Sequence, residues 1–269
     1  MTMLFRVPPR LWHTLPAVLI VLMLTGLGTA TYAQSPAEDI PALETRNDPI
    51  TIPAEATVSD DIESQNGAIT IGENARVADI ETRNGAITLN EGARAASIEA
   101  RNGAITLRGA NRTGTIESRN GRISIGPEST IGGSVETRNG RLMMGRESTI
   151  EGDVETRNGS IASEEGVRIQ GEVETRNGTI TLVGTEVDVR VDTRNGDIQL
   201  EATRIRGDVR LLMCENWSGS NPPVLSIDAA SRVEGRLIVD ERARVEIEAE
   251  AEVPVVERFA SREAWERQP

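Results

Sequence analysis

One short motif, Glu-Thr-Arg-Asn-Gly and its variants, recurs from Glu44 to Gly196, and its asparagines stand at Asn47, Asn66, Asn84, Asn102, Asn120, Asn139, Asn158, Asn177 and Asn195. Successive asparagines are 18 or 19 residues apart. A unit of that length cannot bury a hydrophobic face alone, so each must stack on its neighbours and share one continuous core.

Within one unit, Val135 to Met144, apolar residues alternate with polar ones on both sides of Asn139-Gly140, which is the period of a strand rather than of a helix. Asn-Gly ordinarily closes a hairpin. Stacked hairpins, however, would need a second tight turn at equal spacing, and the return stretch Gly145 to Asp153 instead carries a further apolar position, Ile150. Val77, Ala95, Thr113, Ile131 and Ile169 occupy the same place in their own units. Three short strands per unit predict an all-β fold, a three-sided parallel β-solenoid with coils of 18 or 19 residues; an antiparallel repeat sheet is the alternative. Parallel connections are right-handed by strong preference. The left-handed hexapeptide helix also builds 18-residue coils, and Ile131 to Glu136 mimics one hexapeptide, but 19-residue coils break a strict period of six. The expectation is therefore a right-handed β-helix.

Alternation also assigns side chains. Val135, Thr137, Leu142 and Met144 point inward, and Glu136, Arg138, Arg141 and Met143 point outward. Stacking coils about 4.8 Å apart aligns equivalent residues into ladders. A carboxylate ladder starts at Glu63, continues through Glu81, Glu99, Glu117, Glu136, Glu155 and Glu174, and ends in Asp192. Beside it runs Arg83, Arg101, Arg119, Arg138, Arg157, Arg176 and Arg194, with Gln65 at its start. Like charges stacked so closely repel, and the neighbouring row of opposite sign is expected to offset the cost. As a surface, Glu81 to Arg176 is a regular zwitterionic face suited to a periodic partner, a polysaccharide or another copy of the chain. The Asn ladder is expected to satisfy buried corner amides side chain to side chain. The glycines after it are expected to supply positive φ, and Thr82, Thr137, Thr156, Thr175 and Thr193 to cap the same interior corner.

Composition narrows the function. Only 2% of residues are aromatic, so the core must be aliphatic. A net charge of -13, with every basic residue an Arg, argues against a nucleic-acid partner. Cys214 is alone, which excludes an internal disulfide or a cysteine zinc cluster. Residues 1–33 read as a signal peptide: Arg6 and Arg10 precede the apolar Leu15 to Leu24, and Thr31-Tyr32-Ala33 offers small residues for cleavage. The apolar run is short for a membrane span, so the mature chain is expected to have none. Residues 34–43 read as a linker, 44–212 as regular coils, 213–257 as degenerate coils and a cap, and 258–269 as a tail, frayed or a short helix carrying Trp265. Pro49 and Pro53 are expected to protect the first edge, and Glu246, Glu248, Glu250 and Glu252 the last.

Catalytic chemistry finds little support. His13, the only histidine, falls in the leader, so an acyltransferase base is missing. Carboxylates are plentiful, but they lie in ladders without the aromatic sugar platforms of glycan-cleaving β-helices. Outward Thr70, Thr88 and Thr106 form an ice-binding-like row that Ser124, Met143 and Ala162 interrupt. The integrin-like tripeptide Arg206-Gly207-Asp208 reads as a coil corner, since Gln170-Gly171-Glu172 holds the same repeat position. No catalytic residue, cofactor or metal site is expected. Trp217, in an irregular loop over 213–223, is a candidate for stacking a sugar.

The run of Glu-Thr-Arg-Asn-Gly-x-Ile-Thr-Leu units behind a leader resembles the bacterial adhesin-like family of β-strand repeats, over roughly residues 44 to 212. More loosely it is similar to the bactofilins, polymer-forming β-helices rich in alternating Gly, Ile and Val, although those lack a leader. Neither resemblance brings catalytic residues. Together they imply an exported, non-catalytic scaffold or adhesion surface, periplasmic or at the bacterial cell surface, that assembles with itself or with envelope protein or polysaccharide. A carbohydrate-binding or carbohydrate-processing β-helix with its site near the 213–223 loop is the alternative.

Overall fold

The computed structural model describes residues 30–31, 39–40, 42–214, 217–219 and 221–267; most of the expected leader lies outside them. The chain winds as a parallel β-solenoid of about 11 turns. Every strand pairing is parallel, and each joins equivalent residues of successive coils, as in Val135↔Val154, Glu136↔Glu155 and Thr137↔Thr156.

Each coil has three sides. The first carries Ile-Thr-Leu strands such as Ile105–Leu107 and forms one 12-stranded sheet. The second carries two-residue strands such as Thr149–Ile150. The third carries Val-Glu-Thr strands such as Val154–Thr156. In two coils the second and third sides fuse into single seven-residue strands, Arg76–Thr82 and Arg94–Ala100. Inward residues fall where alternation puts them: Val135, Leu142 and Ile150 are fully buried, Met144 nearly so, while Glu136 and Arg138 are exposed. The interior is a stack of Ile, Leu, Val and Met with no aromatic side chain among the fully buried ones.

The three corners use different chemistry. Between the third and first sides, Gly67, Gly85, Gly103 and their successors do not have positive φ, contrary to the expectation. Their role is close approach: a Cβ on Gly103 would lie 1.6 Å from the carbonyl oxygen of Gly85 in the coil below. The hydroxyls before them close this corner as expected, with Gly85 N donating to Thr82 Oγ1 at 3.0 Å and Thr175 Oγ1 donating to Gly159 O at 3.1 Å. Left-handed backbone occurs instead between the first and second sides, at Asn74, Ala110, Glu128 and Glu147 among others, where φ runs from 49° to 57°. At the third corner lies Arg206-Gly207-Asp208; both charged groups are engaged, Arg206 with Asp188 and Asp208 with Arg210 and Arg236.

The Asn ladder is continuous, and from Asn47 to Asn177 it is exposed rather than buried. Each Nδ2 donates to the Oδ1 one coil below in an unbroken series from Asn195 to Asn47, at 2.6 to 2.9 Å. The Asn side chain points out of the corner because its glycine neighbour must face in.

At the first end, Ala30–Thr31 pairs with Ile50–Ile52 and Asp39–Ile40 with Thr57–Val58. The parallel ladder thus reaches beyond Pro49 and Pro53, which flank the strand Ile50–Ile52 without removing a donor from it. At the far end Val256–Phe259 pairs with Leu237–Asp240, and a helix, α1 (Arg262–Glu266), follows, its N-cap Ser261 accepting from Ala264 N. Residues 258–267 are therefore built into the fold.

Candidate functional site

The third side carries the charge ladders. Glu44, Glu63, Glu81, Glu99, Glu117, Glu136, Glu155 and Glu174 stand in register, followed by Asp192 and then Arg210. Alternation on the strand puts the Arg column two residues further along, about 6.7 Å away. Between the columns runs an open groove of about 620 Å³, lined by every one of the residues singled out from the repeat: Glu81 to Glu174 on one wall and Arg83 to Arg176 on the other.

The two walls are not joined by contact ion pairs. Among the described residues no ion pair joins the carboxylates of Glu81, Glu99, Glu117, Glu136 and Glu155 to the guanidinium groups of Arg83, Arg101, Arg119, Arg138, Arg157 and Arg176; Glu174 has only a 3.9 Å contact with Arg194. The expected compensation is therefore not made through contact ion pairs; opposite charges about 6.7 Å apart still attract. Glu136 and Arg138 are separated along one chain segment by the inward Thr137, and in-register stacking sets each carboxylate beside those of the coils above and below. One consequence is visible at Glu155, whose carboxyl is raised above the ordinary range by burial and then by Glu136 and Glu174 above and below it.

Charges pair closely elsewhere on the solenoid. On the second side and the corner after it, Arg168 meets Glu186 at 2.9 Å and Arg204 meets Glu234 at 2.6 Å, and at the corner before the third side Arg190 meets Glu172. Asp208 accepts from both Arg210 and Arg236; these bonds override the upward pull of its burial and lower its carboxyl to about 2. The helix α1 closes the groove at its far end. Arg262 forms a buried ion pair with Asp192, and Trp265 lies under the guanidinium of Arg210, 4.5 Å from its ring centroid. No sequence motif marks this contact; its one trace is the break in the Glu column at Asp192 and Arg210.

Asp153, Glu155 and Glu172 place carboxylate oxygens within 4.8 Å of one another, the one such group among the described residues. Two of the three are already engaged, Glu172 by Arg190 and Asp153 by the Glu172 amide at 2.8 Å. Trp217, the sugar-stacking candidate, packs against the core. The Arg242 guanidinium sits over its ring at 5.7 Å, and Gly219 lies so close that a Cβ there would come within 2.3 Å of Cζ2. The loop thus holds its indole in internal contacts and does not bring it to the groove. No described helix is long and apolar enough to cross a membrane.

No protein-family model, curated protein or solved structure matches the chain. The function has to be read from the groove and the solenoid that presents it.

Proposed function

We propose that the protein is an exported, non-catalytic scaffold of the bacterial cell envelope, periplasmic or at the cell surface, whose groove of Glu and Arg columns is its adhesion or assembly surface. The observation that carries this reading is the contrast between two regions of one face. Along Glu81 to Arg176 the two columns form no ion pair with each other; beyond them on the same side, Asp192 pairs with Arg262 and Arg210 with Asp208. Side chains that stabilised the fold would be paired throughout. Repetition of the same Glu and Arg pair at six successive coils suits an extended contact. The adhesin-like repeat and the leader read from the sequence point the same way.

The test uses the full chain with Arg101, Arg119 and Arg138 changed together to Ala. Cells displaying the wild type should adhere to one another or retain the protein on isolated envelopes, and the triple variant should lose that retention while melting within a few degrees of wild type. Equal retention of both proteins would remove the groove from the function.

A further inference from the structure

The far end of the rod is an open edge. The 12-stranded sheet stops at Arg244–Ile247, and among the described residues no strand lies beyond it, because the chain completes its last coil through Val256–Phe259 and then turns back as α1 onto the third side. Two things are left uncovered. One is backbone: Arg244 N and Glu248 N donate down the sheet to Pro223 O and Ile227 O at 2.9 and 3.0 Å, so strand alternation turns the N–H and C=O groups of Val245 and Ile247 away from it. In lower coils the residue in the place of Val245 donates to the coil above, as Ile161 N does to Thr179 O and Ile180 N to Asp197 O. The other is the end of the core. Leu225 and Ile227 are 0% and 1% exposed, whereas Val245 and Ile247, which continue their columns, are only partly buried, and Val255 of the same last coil is 87% exposed.

The charge of this end narrows what can cover it. Glu246, Glu248, Glu250, Glu252 and Glu257 are all exposed. Arg244 reaches Glu246 and Arg232 reaches Glu252, each at 2.8 Å, and among the described residues Glu248, Glu250 and Glu257 have no ion-pair partner. A second copy is opposed in either sense. Stacked in the same direction it would present Asp39, Glu44 and Asp48, offset only by Arg46; inverted, it would present the same glutamates.

We propose that this edge takes up an extended basic segment of another protein, one in which Lys or Arg alternates with aliphatic residues, as the strand after Arg244–Ile247. A polypeptide keeps step with the edge because its rise is that of the strand it joins, about 3.3 Å per residue. Its N–H and C=O groups pair with those of Val245 and Ile247. Residues opposite Val245 and Ile247 face inward and close the core. Those opposite Glu246 and Glu248 face outward, where a cation meets a carboxylate directly across the ladder. The same glutamates that repel a like edge thereby select a basic one.

The probe is the end-blocked peptide Lys-Val-Lys-Val-Lys-Val-Lys, added to the full chain and followed by anisotropy of an end label and by amide hydrogen exchange of the protein. Bound peptide should slow exchange at Val245 and Ile247, whose amides are otherwise open, and added salt should weaken the titration. A peptide with Pro in place of its central Val lacks the pairing donor and should bind at least tenfold more weakly; Glu-Val-Glu-Val-Glu-Val-Glu should not bind. Glu246→Lys with Glu248→Lys gives the decisive result. It should lose the basic peptide at least tenfold and gain the acidic one, an exchange of preference that mere damage to the end would not produce. Equal binding of the Pro peptide, slowed exchange on the Glu column at Val135–Thr137 in place of Val245 and Ile247, or a double variant that keeps its preference for the basic peptide overturns the proposal.

Discussion

Arg262 and Asp192 lie 70 residues apart and meet in a buried ion pair, with the aspartate only 2% exposed. Removing one member leaves an unpaired charge in a buried site, which costs about 3–5 kcal/mol. Arg262→Ala should lower thermal stability accordingly and release α1, shifting the emission of Trp265. Asp192→Asn with Arg262→Met removes both charges and should recover most of the loss. A single Arg262→Ala variant that melts with the wild type would mean that the contact does not form.

The corners supply a paired prediction. Gly103→Ala forces a Cβ against the Gly85 carbonyl, whose position is fixed by the stack, and should cost at least about 2 kcal/mol or block folding. Glu128 adopts left-handed backbone with φ of 57°. Relief of about 1–2 kcal/mol of strain, less the added freedom of glycine in the unfolded chain, should make Glu128→Gly neutral to stabilising by up to about 1 kcal/mol. The denaturant midpoint of Gly103→Ala should fall well below that of the wild type, and that of Glu128→Gly should not fall.

Acid should act on two carboxylates with opposite signs. Asp208, lowered to about 2 from a normal 3.8, contributes stability that is fully present above its unfolded value and is lost as pH falls from about 4 towards 2. Asp208→Asn should be less stable at neutral pH and should flatten that acid limb. Glu155 is raised, so its charged form is disfavoured in the fold and the penalty is complete above its folded value. Glu155→Gln should therefore be more stable at pH 7, with the difference vanishing in acid. Melts across pH 2 to 7 report both.

Coil excision tests the period. Deleting Asn139 to Arg157 joins Arg138 to Asn158 and restores Glu136-Thr137-Arg138-Asn158-Gly159 with every inward residue still inward. Because each coil touches only its neighbours, this variant should fold and melt cooperatively with modest loss. Removing nine residues leaves half a coil and should yield degraded protein. Equal tolerance of both deletions would separate the 18 and 19 residue spacing from the structural repeat.

The solenoid was legible because its information is local and repeated. Alternation around Asn139-Gly140 fixes which residues face in, and Ile150 reveals the third strand. Corner chemistry was less legible: a glycine needed for φ and a glycine needed for close approach look the same in a sequence, and only Gly85 beneath Gly103 tells them apart. That Glu136 and Arg138 do not form a contact ion pair depends on side-chain conformations, which alternation does not encode. The docking of Arg262 on Asp192 depends on a contact across four coils of chain, and residues 213 to 261 carry no pattern that foretells it. Trp217 stands out in the sequence as an aromatic residue in an irregular loop, whereas its surroundings at Gly219 and Arg242 decide what it can touch.

The Asn column has a direction. Backbone hydrogen bonds between coils run both ways, as Ile69 N to Ala86 O upward and Gly72 N to Ile52 O downward, and their dipoles largely cancel. The side-chain amides do not alternate: all donate toward the first end of the rod. Nine aligned dipoles polarise one another in the manner of a hydrogen-bonded chain, with the donor pole at Asn47 and the acceptor pole at Asn195, whose Oδ1 is buried and without a partner where Met213 takes the Asn place in the next coil. A rod whose sheets are electrically almost symmetric thereby acquires a polar axis, and its two ends differ for any charged group that approaches along that edge.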